Sequence, residues 1–233
     1  MTSVRADEER PGLYWADLEG RRSPATKNLA PGISVYGEQL LSSGGVEYRL
    51  WDPYRSKLAG AILNGLRGYP FGPGRRVLYL GASTGTTVSH ISDIVEASGT
   101  VFAVEISQRV ARELLDRVVK HRPNVIPILE DARRPERYGF VYGKVDVEYC
   151  DVAQQDQTEI AISNARRYLR EGGDLLLVVK TRSIDVTKEP EEVIRGEVAK
   201  LRSSGFEVLQ VVNLEPYDRD HALVHARLTT SSR

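Results

Sequence analysis

A carboxylate and an amine stand at the ends of two predicted strands of this chain. Asp151 follows the strand predicted over 144–150, and Lys180 ends the strand predicted over 173–180. Parallel sheets bind ligands beyond the carboxyl ends of their strands, so we expect both side chains to face one crevice. An amine held by a carboxylate can draw a proton from a hydroxyl or stabilise the developing oxyanion. The alternative is a structural ion pair at the sheet edge.

A glycine-containing turn within residues 77–87 (VLYLGASTGTT) joins an apolar strand directly to a helical pattern. Its glycines allow a sharp turn and a close approach to a ligand, and the helix start offers unpaired N–H groups to polar ligand atoms. Ser83 stands where the second glycine of G-x-G-x-x-G would be, which disfavours the dehydrogenase form of the turn. The turn alone therefore predicts a nucleotide-like ligand of unspecified kind.

Two acidic residues restrict the kinds of ligand that the turn could bind. Glu105 closes the predicted strand 100–105, about twenty residues past the turn, where an acid hydrogen-bonds ribose hydroxyls. Asp131 follows the predicted strand 124–129, where it can meet an adenine amino group. Together with the turn they predict a site for an adenosine-bearing cofactor. The alternative is that each carboxylate only caps the helix after its strand.

Strands and helices alternate along most of the chain. The predicted strands are 76–81, 100–105, 124–129, 144–150, 173–180, 206–214 and 221–229, and the predicted helices are 55–65, 85–97, 107–121, 155–171 and 190–204. Such units predict a parallel sheet with helices on both faces. The last two strands are joined too tightly for a crossover helix, so one runs antiparallel. We therefore predict an α/β, Rossmann-like fold of the class I methyltransferase type, with a mostly parallel seven-stranded sheet.

A small antiparallel β module is predicted at the N-terminus. A hairpin signal lies at 14–22, and two further short strands are predicted at 33–38 and 46–51. We accordingly predict two domains, the β module of residues 1–54 and a methyltransferase domain of residues 55–233.

Composition excludes several classes of protein. The 32 Lys and Arg residues balance 32 Asp and Glu residues, whereas a protein that holds nucleic acid alone usually has a basic surplus. If the chain acts on RNA, we expect another component to supply much of the affinity. One cysteine and four histidines without zinc spacing predict no metal site. No apolar run approaches the roughly 18–20 residues of a membrane helix, and no signal peptide is evident, so we expect a cytoplasmic protein.

Longer motifs extend this interpretation. The chain resembles the fibrillarin family, in its archaeal form, from about residue 30 to residue 229. The resemblance is carried by EYRLWDPYRSKLA (47–59), GASTGTTVSHISD (81–93), VEIS (104–107), PILEDARRPERY (127–138), CDVAQQDQ (150–157) and DRDHALV (218–224).

The resemblance implies an S-adenosylmethionine-dependent methyltransferase that acts on the ribose 2′-hydroxyl of RNA. It further implies ribosomal RNA, transfer RNA or both as substrates, and a role in their processing. The implied partners are a Nop-domain scaffold protein, a box C/D guide RNA that selects the site, and a kink-turn-binding ribosomal-type protein of the same particle.

The resemblance also implies site residues. The catalytic group is Lys57, Asp151, Lys180 and His221, and the implied cofactor contacts are Gly81, Ala82, Thr86, Thr87, Glu105, Ile106, Asp131, Ala132, Asp151 and Gln154. Ile106 stands where the family often has phenylalanine, Gln155 where it commonly has proline, and Asp52 where asparagine is more usual. Loss of an aromatic side chain at 106 removes stacking on adenine but leaves van der Waals contact.

Two alternatives to this function remain open from the sequence. One is a stand-alone methyltransferase acting on protein or a small molecule, and the other is a catalytically silent structural subunit of an RNA–protein particle. The proposed catalytic group argues against both. His90 is interpreted as a packing or capping residue, and the Arg133, Arg134 and Arg137 cluster as either a solvated loop or an RNA or partner contact.

Overall fold

Two sheets and six α-helices make up the computed structural model, which describes residues 3–141 and 143–229. In that part of the chain the strands are β1 Ser3–Ala6, β2 Leu13–Leu18, β3 Arg21–Lys27, β4 Leu40–Ser43, β5 Val46–Leu50, β6 Arg76–Leu80, β7 Thr100–Glu105, β8 Val125–Leu129, β9 Val145–Cys150, β10 Leu169–Lys180, β11 Phe206–Asn213 and β12 His221–Leu228. The α-helices are α1 Lys57–Leu63, α2 Thr86–Val95, α3 Gln108–Arg117, α4 Gln157–Tyr168, α5 Thr181–Ile184 and α6 Pro190–Ser203.

The larger sheet has the order β11-β12-β10-β9-β6-β7-β8. β6 to β10 are parallel to one another, and β12 pairs antiparallel with both β10 and β11. Val77 and Tyr79 of β6 belong to one buried cluster with α2, whereas Leu78 and Leu80 belong to another with α4. Helices therefore cover both faces, and the predicted fold with one antiparallel strand is confirmed.

The N-terminal strands form an antiparallel sheet of order β1-β2-β3-β5-β4. The strand predicted at 33–38 is wrong. That segment is a turn held by the Glu38 carboxylate, which accepts N–H bonds from Val35 and Tyr36. The strand that follows this turn is β4, which is four residues long. Strand β1 is polar and was not predicted from the sequence.

Strand β10 begins earlier than the sequence pattern predicts. The helix predicted over 155–171 ends at Tyr168, and the strand starts at Leu169. The glycines at 172 and 173, which resemble a helix end, lie within β10 where its register with β9 shifts, with Gly172 at φ +65°. Leu169 already pairs with Val145 of β9, and pairing with both β9 and β12 runs from Asp174, so sheet contacts override the helical pattern at the start of β10.

A buried polar network joins the N-terminal sheet to α2. Arg49 of β5 is fully buried and donates to Asp93 Oδ2 and to Glu38 Oε1, each at 2.7 Å, and to the Ser89 hydroxyl at 2.8 Å. A second buried arginine, Arg122, lies 3.4 Å from the other Asp93 oxygen. Each of these buried charges has an opposite partner, which is the condition under which proteins tolerate charge in the core.

His90 packs inside the same network, as its sequence context predicts. The ring stacks on Trp51 with centroids 4.7 Å apart. Burial, together with two nearby arginines, lowers the pKa of His90 well below its usual value, so the ring is neutral. Thr26 gives its hydroxyl proton to Asp93 and therefore accepts from His90 Nδ1–H, while the Tyr36 hydroxyl donates to Nε2. This neutral histidine serves packing and not proton transfer.

The two predicted domains share one core. Leu13 and Trp51 from the N-terminal part lie in the same buried cluster as Val77 and Ile91 of the larger sheet. Residue 54 lies between β5, which ends at Leu50, and α1, which begins at Lys57. The division into two domains at this residue stays a prediction.

Candidate active site

The carboxyl ends of β6, β9 and β10 bring three predicted site residues together. These strands are parallel neighbours, so Gly81, Asp151 and Lys180 lie at one edge of the sheet. The Asp151 N–H donates to the Leu80 carbonyl at 2.9 Å and extends the pairing past the strand end. Lys180 Nζ lies 2.8 Å from Asp151 Oδ1 and 2.9 Å from its backbone oxygen. The predicted carboxylate–amine pair is therefore present.

Lys57 approaches the same carboxylate from outside the sheet. It begins α1, whose N-cap Ser56 accepts from Ala59 N–H and shares a hydrogen bond with the Thr87 hydroxyl at 2.9 Å. Lys57 Nζ lies 3.4 Å from Asp151 Oδ2, so a lysine nitrogen faces each oxygen of the carboxylate. The side chains of Lys57, Asp151 and Lys180 keep 14–22% of their surface exposed, which leaves the group open to a substrate.

Asp218 links His221 to this group and was missed in the sequence. Its carboxylate lies 3.6 Å from Lys57 Nζ and 3.0 Å from His221 Nδ1. The backbone oxygen of Arg219 also contacts Nδ1. Two acceptors thus lie at Nδ1 and fix the orientation of the ring. The only sequence signal for Asp218 is its place three residues before His221 in the motif at 218–224.

The structure thus brings all four predicted catalytic residues to one site. Lys57 and Lys180 contact Asp151 directly, and His221 joins through Asp218. His221 is also the pairing partner of Lys180 across β10 and β12.

The turn after β6 needs glycine at two positions, because neighbouring protein atoms leave no room for a Cβ. Gly81 has φ +80°, and a Cβ there would lie 2.9 Å from the Asp151 carbonyl oxygen. At Gly85, with φ +94°, a Cβ would lie 2.5 Å from the Val118 side chain at the end of α3. These glycines therefore allow the turn to pack closely against other parts of the protein beside the site.

A cavity of about 320 Å³ opens beside Asp151. Seven of the ten predicted cofactor contacts line it, together with Lys180: Gly81, Glu105, Ile106, Asp131, Ala132, Asp151 and Gln154. Ile106 is 60% exposed, so its side chain is available to cover one face of a ligand.

Glu105 holds the turn at the edge of this cavity. Its carboxylate accepts Ser83 N–H at 2.9 Å and Ser107 N–H at 2.8 Å. A carboxylate has about four acceptor sites, so two remain for ribose hydroxyls. The cavity, its acid at the ribose position and the close-packed turn fit an adenosine-bearing cofactor.

The other three predicted contacts do not line the cavity. Ala82 is buried and its N–H donates to the Val104 carbonyl. Thr87 is buried, and its hydroxyl shares a hydrogen bond with the Ser56 hydroxyl. Thr86 begins α2, where N–H groups lack intrahelical partners. Their roles toward a cofactor stay predictions.

Comparisons with known proteins decide the family. The fibrillarin family model matches residues 4–230. The chain belongs to the fibrillarin family. A fibrillarin-like rRNA/tRNA 2′-O-methyltransferase of Saccharolobus solfataricus is 57% identical over 199 residues, which is 85% of each chain. One of the same description from Methanopyrus kandleri is 52% identical over 219 residues, 94% of each chain. The predicted resemblance to archaeal fibrillarin is confirmed.

Solved fibrillarin structures share the fold almost completely. Aeropyrum pernix fibrillarin, in complex with natively bound S-adenosyl-L-methionine, is 48% identical with a TM-score of 0.90 and covers 97% of this chain and 99% of its own. The Methanococcus jannaschii protein is 42% identical, with a TM-score of 0.93 and coverage of 99% and 100%. A fibrillarin/Nop5p complex is 43% identical, with a TM-score of 0.83 and coverage of 94% and 99%. This fibrillarin-family chain is a methyltransferase.

Arg133 closes the outer wall of the cavity in this fibrillarin-family chain. It forms a bidentate pair with Asp156, at 2.8 and 2.9 Å, and donates to Gln154 Oε1 at 2.7 Å. That hydrogen bonding lowers the pKa of the Asp156 carboxyl below its usual value. The arginine thus ties the loop after β8 to the loop after β9 and orients Gln154, a role that the sequence left open between solvated loop and RNA contact.

Neither a metal centre nor a membrane span is found within residues 3–141 and 143–229. No three His, Cys, Asp or Glu side chains there are grouped to hold an ion. No helix in these residues combines the length and apolar character needed to cross a bilayer.

Proposed function

We propose that this chain transfers a methyl group from S-adenosylmethionine to the ribose 2′-hydroxyl of ribosomal and transfer RNA. The observation that carries the proposal is the Lys57–Asp151–Lys180 cluster, which adjoins a cavity fitted to an adenosine-bearing ligand. When bound, S-adenosylmethionine supplies an electrophilic methyl group on its sulfonium. The similarity to fibrillarin-like rRNA/tRNA 2′-O-methyltransferases, at more than 50% identity, supports the same assignment.

The cluster suits attack by a weak nucleophile. A ribose 2′-hydroxyl must lose its proton as it attacks, and the negative charge that develops on oxygen must be stabilised. In the proposed step the Lys180 amine takes the hydroxyl proton as the oxygen bonds to the methyl carbon and the methyl–sulfur bond breaks, so that the sulfur leaves as a neutral thioether. Asp151 fixes Nζ through two contacts. Lys57 adds a positive charge to the cluster, and His221 is held at its edge by Asp218. Glu105, Asp131 and the other cavity residues hold the methyl donor.

We further propose that the enzyme works in a ribonucleoprotein particle. A Nop-domain scaffold would dock it, a box C/D guide RNA would choose the nucleotide, and a kink-turn-binding protein would complete the particle. The balanced charge of the chain supports this dependence, because electrostatic attraction alone would give it little hold on RNA. The fold match to a fibrillarin that was solved with Nop5p supports the scaffold. Processing of ribosomal and transfer RNA is the corresponding biological role.

Reconstitution tests this dependence. Methyl transfer to a target RNA is measured with the complete particle and with guide RNA or scaffold omitted. We expect site-specific transfer only in the complete particle. Efficient, site-specific methylation of naked RNA by the isolated chain would contradict the recruitment proposal.

Removing the carboxylate of Asp218 is expected to slow methyl transfer. Asp218→Asn weakens the link between Lys57 and His221, so kcat should fall about ten- to a hundredfold, as expected when a reacting group is misplaced, with the KM for S-adenosylmethionine unchanged. Asp220→Asn is the matched control, because that carboxylate contacts only the exposed Arg182 among the described residues. Equal kcat values for the two variants would contradict the role of Asp218.

Removing the Arg133 guanidinium is expected to weaken cofactor binding. Arg133→Gln releases Gln154 and the Asp156 loop, so the Kd for S-adenosylmethionine should rise about three- to tenfold, the worth of roughly one net hydrogen bond. Titration calorimetry measures the Kd, with Arg134→Gln as the neighbouring control. A Kd equal to that of the wild type would show that the loop connection is not needed for binding.

A further inference from the structure

The hydroxyl of Thr87 faces the helix that carries Lys57 and not the cofactor cavity. Thr87 is the second residue of α2, is 7% exposed and does not line the cavity beside Asp151. Its hydroxyl lies 2.9 Å from the hydroxyl of Ser56, which is also buried. Ser56 is the N-cap of α1, and Lys57 is the first residue of that helix. A buried hydrogen bond therefore joins the start of α2 to the start of α1.

The Thr87 end of this hydrogen bond is held rigidly. Residues 87–95 of α2 are all buried. The helix begins directly after Gly85, which packs against Val118 so closely that a Cβ would lie 2.5 Å away. Because hydrogen bonds are stronger where water is excluded, the Thr87 hydroxyl is a firm point of attachment for a neighbouring group.

The Ser56 end controls where Lys57 lies. Ser56 directly precedes Lys57, and its side chain also accepts the N–H of Ala59 in the first turn of α1. Lys57 Nζ meets the carboxylates of Asp151 and Asp218 at 3.4 and 3.6 Å, whereas Lys180 meets Asp151 at 2.8 Å. Since the contacts of the Lys57 amine are long, its position depends on how firmly the backbone of Lys57 is held.

We propose that Thr87 and Ser56 are positioning residues for Lys57, and that the Thr87 side chain acts through this hydrogen bond and not on S-adenosylmethionine. The bond holds the start of α1 against α2 and so directs Lys57 towards Asp151. A small displacement of a group in an active site lowers the rate strongly, which gives this bond an effect on turnover. The inference rests on the proposed function, since the rate concerned is that of methyl transfer to RNA.

Steady-state methyl transfer by the reconstituted particle tests the hydrogen bond. Thr87→Val keeps the shape of the side chain and removes its hydroxyl, so we expect kcat to fall about tenfold with the KM for S-adenosylmethionine unchanged. The Kd for S-adenosylmethionine, measured by titration calorimetry on the isolated chain, should equal that of the wild type. Thr87→Ser restores the hydroxyl and should return kcat to near the wild-type value.

Two further substitutions separate this bond from a general loss of stability. Ser56→Ala should lower kcat at least as much as Thr87→Val, because the cap of α1 is lost as well. The double variant should be no slower than Ser56→Ala, because both changes remove the same bond. Ser92→Ala is the matched control and should retain wild-type kcat. That buried serine of α2 donates to Asn124 Oδ1 at 2.7 Å, so it loses a comparable hydrogen bond that does not reach α1.

Amide hydrogen exchange gives a measurement that needs no turnover. In the isolated chain, the Ala59 N–H should exchange about tenfold faster in Thr87→Val than in the wild type, because its acceptor Ser56 is no longer held. Ser92→Ala should leave this exchange rate unchanged.

Three results would overturn the inference. The first is a raised Kd for S-adenosylmethionine in Thr87→Val with kcat unchanged, which would make Thr87 a cofactor contact. The second is a loss of kcat no larger than that of Ser92→Ala, and the third is an unchanged exchange rate at Ala59. Faster exchange at Ala59 in Thr87→Val, with no methyl transfer to RNA by the wild-type particle, would instead support the link and contradict the proposed function.

Discussion

Lys180→Met is expected to lower the rate of methyl transfer by about 10²- to 10⁴-fold, the range typical of losing a positioned proton-transfer group. Methionine keeps an unbranched, mostly apolar side chain but lacks the basic nitrogen that lies 2.8 Å from Asp151 Oδ1. Single-turnover transfer from S-adenosylmethionine to RNA in the reconstituted particle measures the effect. Because Lys180 also lines the cofactor cavity, the rates are compared at saturating S-adenosylmethionine, with its Kd measured in parallel.

Lys188→Met provides the control for this substitution. Lys188 lies in the connection after β10 and, among residues 3–141 and 143–229, makes only exposed contacts with Asp185 and Glu192, at 3.8 and 3.9 Å. It should therefore retain near wild-type turnover. Unchanged turnover in Lys180→Met, or an equal loss in both variants, would remove Lys180 from its proposed role.

Arg49→Met is expected to destabilise the fold by about 3–5 kcal/mol, the cost typical of breaking a buried ion pair. It leaves the Glu38 and Asp93 carboxylates without their shared guanidinium in the contact between α2 and the N-terminal sheet. Although burial raises the pKa of Glu38, Arg49 and the backbone N–H groups of Tyr36 and Val35 hold it below its usual value. Urea unfolding followed by circular dichroism measures the free energy of unfolding.

The control for stability is an exposed ion pair. Arg117→Met breaks the contact with Glu113, 2.9 Å long and close to half exposed on both sides. Such surface pairs contribute less than about 1 kcal/mol. A loss in Arg49→Met no larger than that of the control would show that the network does not hold the two sheets together.

The larger sheet is predictable from the sequence because its strands follow local residue patterns. Apolar runs followed by helical patterns identify β6 to β10, and parallel strands must place Asp151 and Lys180 at one edge. Lys57 is different, because 94 positions separate it from Asp151. Only a resemblance to known sequences, and not spacing, pointed to it.

The failures have two physical causes, one local and one long-range. At 33–38 an alternating pattern resembles a strand, but Glu38 binds the local N–H groups and makes a turn. Asp218 and Arg133 act through side-chain contacts with residues on other loops, which no local pattern records. Long-range polar contacts of this kind become visible only when the loops are placed in space.

The most direct test of the proposed activity removes the 2′-hydroxyl from the target nucleotide of the RNA. The reconstituted particle receives S-adenosylmethionine labelled in its methyl group, with either the target RNA or the same RNA carrying a 2′-deoxyribose at the target nucleotide. We expect label in the first RNA and none at that nucleotide in the second. Equal labelling of both RNAs would show that the methyl group goes elsewhere and would contradict ribose 2′-O-methylation.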